Sequence, residues 1–148
     1  MARFRYRMQA ILDLKYKTES QAKNEFGAAQ RALNDEEDKL VSLYERKEKY
    51  FADGVKLRES ASLPVREIMQ NDTFLDRMDE LIELQKQEIQ KAERIVEEKR
   101  EILMKEIQER KMQEKLRERA FEQYLEDERK AEAMESDQRS SFVYGQRA

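Results

Sequence analysis

Residues 54–72 read GVKLRESASLPVREIMQND and contain Pro64, the only proline of the chain, together with Gly54, one of its three glycines. Proline lacks the backbone amide that a continuing helix needs, and glycine is a weak helix former. No other proline interrupts the sequence before or after this stretch. Breakers clustered near the middle of 148 residues therefore predict a bend between two long segments.

Apolar residues on both sides of this bend recur in alternating steps of three and four, the spacing of a coiled-coil seam. Ten of the fifteen positions before the bend are apolar or aromatic: Met8, Leu12, Lys15, Glu19, Ala22, Phe26, Ala29, Leu33, Glu36, Leu40, Leu43, Lys47, Tyr50, Gly54 and Leu57. The seam after the bend is Leu75, Met78, Ile82, Gln85, Ile89, Ala92, Val96, Lys99 and Leu103. We expect the four charged positions of the first series to weaken the seam or to fix its register.

These series predict an all-α fold, in which two long helices form an antiparallel coiled-coil hairpin as a single domain over residues 1–148. A lone extended helix would leave both seams in water. The predicted parts are arm one at about 4–58, the bend with a short connecting helix at about 59–72, arm two at about 73–138 with an N-cap at Asn71–Thr73, and a frayed tail at 139–148. A parallel homodimer of extended chains is the structural alternative.

Folding about residue 65 would set Met8 opposite roughly residue 122. An aromatic clasp would then join the two chain ends through Phe4, Tyr6, Met8, Phe121, Tyr124 and Leu125. Between Gln108 and Arg119 the seam thins, so we expect this stretch to be helical but poorly held.

Composition limits the chemistry that the chain can perform. It has no His, no Cys and three Gly, which excludes a Ser/His/Asp or Cys/His apparatus, a Cys/His zinc site and a glycine-rich phosphate loop. Charged residues make up 43% of the chain, with a net charge of -3 and both signs interleaved, unlike a nucleic-acid-binding surface. No apolar run is long enough for a membrane span, and no signal peptide is evident. We therefore predict a cytoplasmic protein that is not an enzyme and binds no cofactor, metal or nucleic acid.

The first seventeen residues carry five basic residues against one aspartate, interleaved with Phe4 and Tyr6. This pattern permits membrane-surface binding or a transit peptide. The favoured interpretation is a helix start whose arginines meet the acidic stretch at 120–139, where seven acids face three bases.

Aromatic and large apolar residues also cluster on both sides of the bend. The set comprises Leu43, Tyr44, Tyr50 and Phe51 before it, and Phe74, Met78, Leu81 and Ile82 after it. Their apolar stripe is wider than a two-helix contact needs. It predicts either a thicker core or a docking face for another protein.

Four segments in this order resemble the FliJ family of the bacterial flagellar type III export apparatus: FRYRMQAILDLKYK, LVSLYERKEKY, FLDRMDELIELQ and KLRERAFEQYLEDERKAEAMESD. The resemblance covers nearly the whole chain. It implies a coiled-coil component that resembles the central stalk of rotary ATPases, promotes assembly of the hexameric export ATPase, and binds the export gate protein FlhA and substrate-specific export chaperones. It also implies a cytoplasmic location, peripheral to the membrane at the flagellar base.

The resemblance further implies a gate-binding face made by both arms near the bend: Lys39, Leu43, Arg46, Tyr50, Phe74, Met78, Leu81 and Gln85. Lys39 and Arg46 differ from the uncharged and aromatic residues typical of the family at those places. The terminal clasp would enter the ATPase ring. Two alternatives remain open, a structural or scaffolding coiled coil and the equivalent stalk of a virulence type III injectisome; a nucleic-acid binder ranks below both.

Overall fold

The computed structural model describes residues 3–147 and contains two helices in that range, α1 at Gln9–Glu59 and α2 at Val65–Arg147. The two helices pack against each other, and no strand occurs in the described residues. The predicted all-α antiparallel hairpin is confirmed. Met1, Ala2 and Ala148, which the predicted domain and its tail included, lie outside the described residues.

The heptad series identifies the buried side of both helices. Every seam position predicted from Met8 to Leu57 is buried or half-buried, and so is every position predicted from Leu75 to Leu103. The most buried apolar side chains are Leu12, Ala22, Ala29, Met78 and Ile82. Small residues at two of these positions allow the helix backbones to approach closely.

The bend consists of residues 60–64. The Leu63 amide donates to the Ser60 carbonyl at 3.2 Å, and Leu63 has a φ of 40°, in the left-handed region that side chains other than glycine rarely adopt. The carbonyl of Pro64 accepts the first hydrogen bond of α2 from the Ile68 amide at 3.0 Å. Proline suits this position because a helix start leaves the local amide without an intrahelical partner.

The structure corrects the predicted connection in two respects. No separate connecting helix exists in the described chain, because Val65–Gln70 forms the first turns of α2 itself. Asn71 and Thr73 do not cap a helix. Asn71 is buried within α2, and the Thr73 hydroxyl donates to the Met69 carbonyl one turn earlier, at 3.0 Å. These cap-favouring residues are therefore accommodated inside a helix, Asn71 by a contact with α1 and Thr73 by a hydrogen bond to its own helix backbone.

Gly54 lies inside α1, although the sequence predicted it to be a breaker at the bend. A Cβ atom added there would lie 2.5 Å from Asn71 Oδ1. The Asn71 side chain is held in place because its Nδ2 donates to the Tyr50 carbonyl at 2.9 Å. Gly54 is thus explained by close packing of α2 against α1 rather than by a turn.

The chain forms two compact units, to each of which both helices contribute. The terminal unit is Met1–Gln21 with Met104–Ala148, and the bend unit is Ala22–Leu103. Among the most buried residues, Leu12 and Glu19 belong to the terminal unit, whereas Met78 and Ile82 belong to the bend unit. In the terminal unit α2 remains helical through Arg147, so the described part of the predicted frayed tail is helical.

In the terminal unit, polar contacts hold the stretch of α2 that was expected to be poorly held. Lys15 Nζ lies 2.7 Å from Glu109 Oε2, and Arg110 Nε donates to Glu19 Oε2 at 2.5 Å. We call this set the polar clamp; it also contains the hydrogen bonds Tyr16–Glu114 at 2.6 Å and Thr18–Glu106 at 2.9 Å. Polar side chains of α1 and α2 therefore meet where apolar seam residues are missing from this stretch.

Candidate partner-binding faces

Residues near the bend that were predicted to bind the gate protein lie on one flank of the helix pair within the bend unit. We call them the bend-unit face: Lys39, Leu43, Arg46, Tyr50, Phe74, Met78, Leu81 and Gln85. On each helix they follow one another in steps of three and four, which keeps them on a single side. Tyr50 and Phe74 join the two helices through a ring contact with centroids 5.5 Å apart.

A groove of about 800 Å³ opens along part of this face. Five members of the bend-unit face line it, and acidic and apolar neighbours complete its walls: Asp35, Asp38, Lys39, Ser42, Leu43, Arg46, Leu81, Leu84, Gln85 and Glu88. Lys39 and Arg46 are exposed, while Leu43 and Leu81 are half-buried between the helices. The groove therefore offers an apolar floor with charges of both signs along its edges.

Two members of the bend-unit face serve the packing of the hairpin. Met78 is 6% exposed and belongs to the core, so it supports the face from beneath. Gln85 Nε2 donates to both the backbone carbonyl and the carboxylate of Glu36, at 2.9 and 2.5 Å. The Gln85 side chain thus connects the two helices across the floor of the groove.

The charges around this groove are partly paired within the chain. The hydrogen bond from Gln85, followed by the one from Lys39, lowers the pKa of the Glu36 carboxyl below its usual range. Lys39 Nζ lies 3.2 Å from Glu36 Oε1. Arg46, by contrast, is exposed and has no ion pair among the described residues.

The terminal unit contains the predicted aromatic contact between the chain ends. The terminal clasp is defined as the predicted set Phe4, Tyr6, Met8, Phe121, Tyr124 and Leu125. The Phe4 ring centroid lies 5.1 Å from that of Phe121, edge to face, and 5.4 Å from that of Tyr124. The Arg117 guanidinium covers the Phe4 ring at 5.8 Å. Such ring contacts stabilise the pair of chain ends beyond their buried area.

The register of this contact differs from the predicted one. Gln9 accepts a hydrogen bond from Arg117 at 3.1 Å, and the Tyr6 hydroxyl donates to Gln113 at 2.9 Å, whereas Met8 was expected opposite roughly residue 122. Residues 3–8 precede α1 and are not helical. Counting back five residues from the Gln9–Arg117 contact places Phe4 opposite about residue 122, which agrees with its ring contacts to Phe121 and Tyr124.

The non-helical start of the chain also separates its aromatic residues from its arginines. Along residues 3–8 half-buried and exposed positions alternate, with Phe4 and Tyr6 turned toward α2 and the three arginines exposed. In the part of the chain that the structure describes, Arg3, Arg5 and Arg7 form no ion pair with the acidic stretch at 120–139. The expected pairing of these arginines with residues 120–139 is therefore wrong, because the arginines lie on the exposed side of this non-helical segment.

No group of three or more carboxylates in residues 3–147 could hold a metal ion, and no helix there is long and apolar enough to cross a membrane.

The family model described as "Flagellar FliJ protein" matches residues 4–148. The chain belongs to the FliJ family. The family is a structural, non-enzymatic component of type III export and associates with the export apparatus.

This FliJ protein has the same fold as a solved structure from Chlamydia trachomatis, CT670, described as a YscO homolog. The two chains are 17% identical over 96% of each, with a TM-score of 0.78. No curated protein sequence matches this FliJ protein.

Two features of this FliJ protein were not predicted, the polar clamp and the contact between Gly54 and Asn71. The clamp had a partial signal in the sequence, since Lys15 and Glu19 occupy seam positions where apolar residues are expected. The four charged seam residues of α1 all have partners across the helix pair: Lys15–Glu109, Glu19–Arg110, Glu36–Gln85 and Lys47–Asp79. Nothing in the sequence indicates that Gly54 faces a buried asparagine.

Proposed function

We propose that this FliJ protein is the central-stalk-like adaptor of the flagellar export ATPase. It binds the ATPase, promotes assembly of its hexameric ring, and couples it to the export gate protein FlhA and to export chaperones. It acts in the cytoplasm at the membrane-peripheral base of the flagellum and performs no catalysis itself. The observation that carries the proposal is the FliJ family match over residues 4–148.

The bend-unit face supports the gate-binding part of the proposal. Phe74 is 43% exposed although its ring also contacts Tyr50, and Leu81 lies half-buried in the adjoining groove. Aromatic and aliphatic residues held in place yet still accessible are typical anchors of protein interfaces. Lys39 and Arg46 line the groove beside these anchors and would add charge contacts at its edge.

The terminal clasp supports the ATPase-binding part. The Phe4 contacts with Phe121 and Tyr124 bring residues from both ends of the sequence into one surface. Arg3, Arg5 and Arg7 lie exposed beside that surface. A surface that combines rigid aromatic rings with exposed basic groups suits the lumen of a protein ring that carries carboxylates.

The gate-binding part is tested with the double variant Phe74→Ala/Leu81→Ser. Its affinity for FlhA, measured by isothermal titration calorimetry, is expected to fall at least about tenfold, because two anchors are truncated. Met112→Ser, an exposed methionine in the terminal unit, is the matched control and should keep wild-type affinity. Unchanged affinity in the double variant, with the helical circular-dichroism signal intact, would contradict this part.

The ATPase-binding part is tested by adding the purified chain to its cognate export ATPase. We expect faster ATP turnover and a larger hexamer fraction in size-exclusion chromatography, and we expect Phe4→Ala/Phe121→Ala to lose most of both effects. A scaffolding coiled coil without ATPase contact would leave turnover and assembly unchanged. That result would exclude the stalk function, whatever the outcome of the FlhA measurement.

A further inference from the structure

The bend unit carries a second apolar stripe on α1 that does not belong to the bend-unit face. Its members are Val41, Tyr44, Phe51 and Val55, with Glu48 at the central position. All four apolar side chains are exposed, and Phe51 reaches 62%. We call these five residues the outer stripe.

The outer stripe lies on the opposite flank of α1 from the charged members of the bend-unit face. Each of its residues follows a seam residue by one position, whereas Lys39 and Arg46 each precede one. At about 100° per residue, these offsets place the two sets on opposite sides of the seam. Three charged residues of α2 lie on the same flank as the outer stripe and contact α1 there. Asp79 pairs with Lys47 at 2.6 Å, and Asp72 pairs with Arg58 at 2.9 Å. Lys86 contacts Tyr44.

The spacing of the outer stripe is that of a coiled-coil seam. Its positions advance by three, four, three and four residues, so the side chains form one continuous row about 21 Å long, or four helical turns. Single exposed apolar residues are ordinary on any protein surface. A row in heptad register that nothing in the described chain covers is the pattern that a further helix would recognise.

Glu48 determines which kind of partner helix can pack on the outer stripe. Among the described residues it has no ion pair or hydrogen bond, and it lies between Tyr44 and Phe51 in the centre of the row. A second copy packed antiparallel on the same stripe would set Glu48 against its own counterpart, and like charges at such a contact are unfavourable. On the adjoining flank, Asp79, Asp72 and Glu83 of α2 are each paired with a base, namely Lys47, Arg58 and Lys86, so Glu48 is the unpaired charge within the row.

We propose that the outer stripe is a docking site for an amphipathic helix of a partner protein, with apolar residues in heptad spacing around a central lysine or arginine. The apolar row provides the contact area, and Glu48 selects the basic residue by forming an interfacial ion pair. This site is separate from the gate-binding face and does not depend on the proposed stalk function.

The test uses two designed helical peptides of about 22 residues, labelled with fluorescein. Both carry leucine at four positions in the spacing of the outer stripe, and the central fifth position is lysine in one peptide and glutamate in the other. Fluorescence anisotropy with the full chain is expected to show about tenfold tighter binding of the lysine peptide. Glu48→Lys should reverse that preference, and Phe51→Ser should weaken both peptides.

Leu81→Ser, in the groove of the bend-unit face, is the matched control and should leave peptide binding unchanged. The substituted outer-stripe residues are exposed, so each variant should remain helical, and circular dichroism is used to check this. The proposal is overturned if the peptides do not bind, if they bind equally, if Glu48→Lys fails to reverse the preference, or if Leu81→Ser abolishes binding. A wild-type dimer in sedimentation equilibrium that Phe51→Ser dissociates would also overturn it, since the occupant would then be a second copy.

Discussion

The carboxylate of Glu19 lies inside the seam of the terminal unit and accepts hydrogen bonds from two nitrogens of Arg110, at 2.5 and 3.3 Å. Only 6% of the glutamate is exposed. Arg110 also donates to Glu114 at 3.1 Å, so its guanidinium group forms hydrogen bonds with two carboxylates. Because a buried charge is costly without its partner, this pair is satisfied in one register of the two helices and left unpaired in the neighbouring ones.

Replacing Glu19 alone should therefore destabilise the terminal unit. Glu19→Leu leaves the Arg110 guanidinium without its main partner and is expected to lower the melting temperature by about 5 °C or more in circular dichroism. The double variant Glu19→Leu/Arg110→Leu should recover that loss or exceed wild-type stability, since apolar side chains then fill the same seam positions. Glu135→Leu, on the exposed tail of α2, is the control. A single variant as stable as wild type would show that the pair contributes nothing.

Gly54 and Gly27 should respond to alanine with opposite signs. Both lie inside α1, where alanine normally stabilises a helix by about 1 kcal/mol over glycine. At Gly54 the new Cβ would meet Asn71 Oδ1 at 2.5 Å, and moving that side chain would break its hydrogen bond to the Tyr50 carbonyl. We expect Gly54→Ala to lower the free energy of unfolding by about 1 to 3 kcal/mol.

The matched variant Gly27→Ala should raise stability by up to about 1 kcal/mol, because its nearest neighbour is the flexible end of Arg31 at 3.5 Å. Urea unfolding followed by circular dichroism measures both changes. If Gly54→Ala also proves stabilising, the close approach of the two helices at this point is disproved.

The seam of each helix could be predicted from the sequence because burial along a helix depends on local periodicity. The heptad count found Leu12 and Ile82, two of the most buried residues, without any knowledge of the partner helix. It also found the charged seam positions, such as Lys15 and Glu19. Their partners Glu109 and Arg110 could not be identified, because a register shift of a few residues changes which side chains meet across the pair.

Helical spacing predicts which members of the bend-unit face share one side of a helix, but not how deeply each side chain is buried. Steps of three and four place Phe74, Met78 and Leu81 near one another, yet Met78 is buried and Phe74 is 43% exposed. That difference depends on where the opposite helix lies. The cap-forming types Asn71 and Thr73 predicted a helix start, although both lie inside α2: Asn71 bonds the Tyr50 carbonyl of α1, and Thr73 bonds the Met69 carbonyl of its own helix.

The polar clamp should make the terminal unit sensitive to acid. The hydrogen bond from Lys15 lowers the pKa of the Glu109 carboxyl, and the hydrogen bond from Tyr16, with a contribution from Arg110, lowers the pKa of Glu114. A carboxyl whose folded pKa lies below its unfolded value of about 4.3 stabilises the protein above that pH. This stabilisation is lost as the pH falls through the lowered folded pKa.

Glu109→Gln is therefore expected to reduce the melting temperature at pH 7 and to flatten its decline between about pH 5 and pH 3. Thermal unfolding at several pH values measures the effect. Glu135→Gln, which removes an exposed carboxylate without an ion pair in the described residues, serves as the control. A decline in Glu109→Gln as steep as in the wild type would exclude this carboxylate as a source of the acid sensitivity.

Met78 should behave as a core residue although it belongs to the bend-unit face. It is 6% exposed, so Met78→Ala is expected to lower the free energy of unfolding by about 2 to 5 kcal/mol through the cavity it leaves. Met69→Ala, on the same helix but 66% exposed, should change stability by less than about 0.5 kcal/mol. Below its unfolding temperature, Met78→Ala should bind FlhA within about threefold of the wild-type affinity, because truncations outside the small set of anchor residues cost an interface little. A larger loss of binding without a loss of stability would mean that Met78 reaches the partner directly.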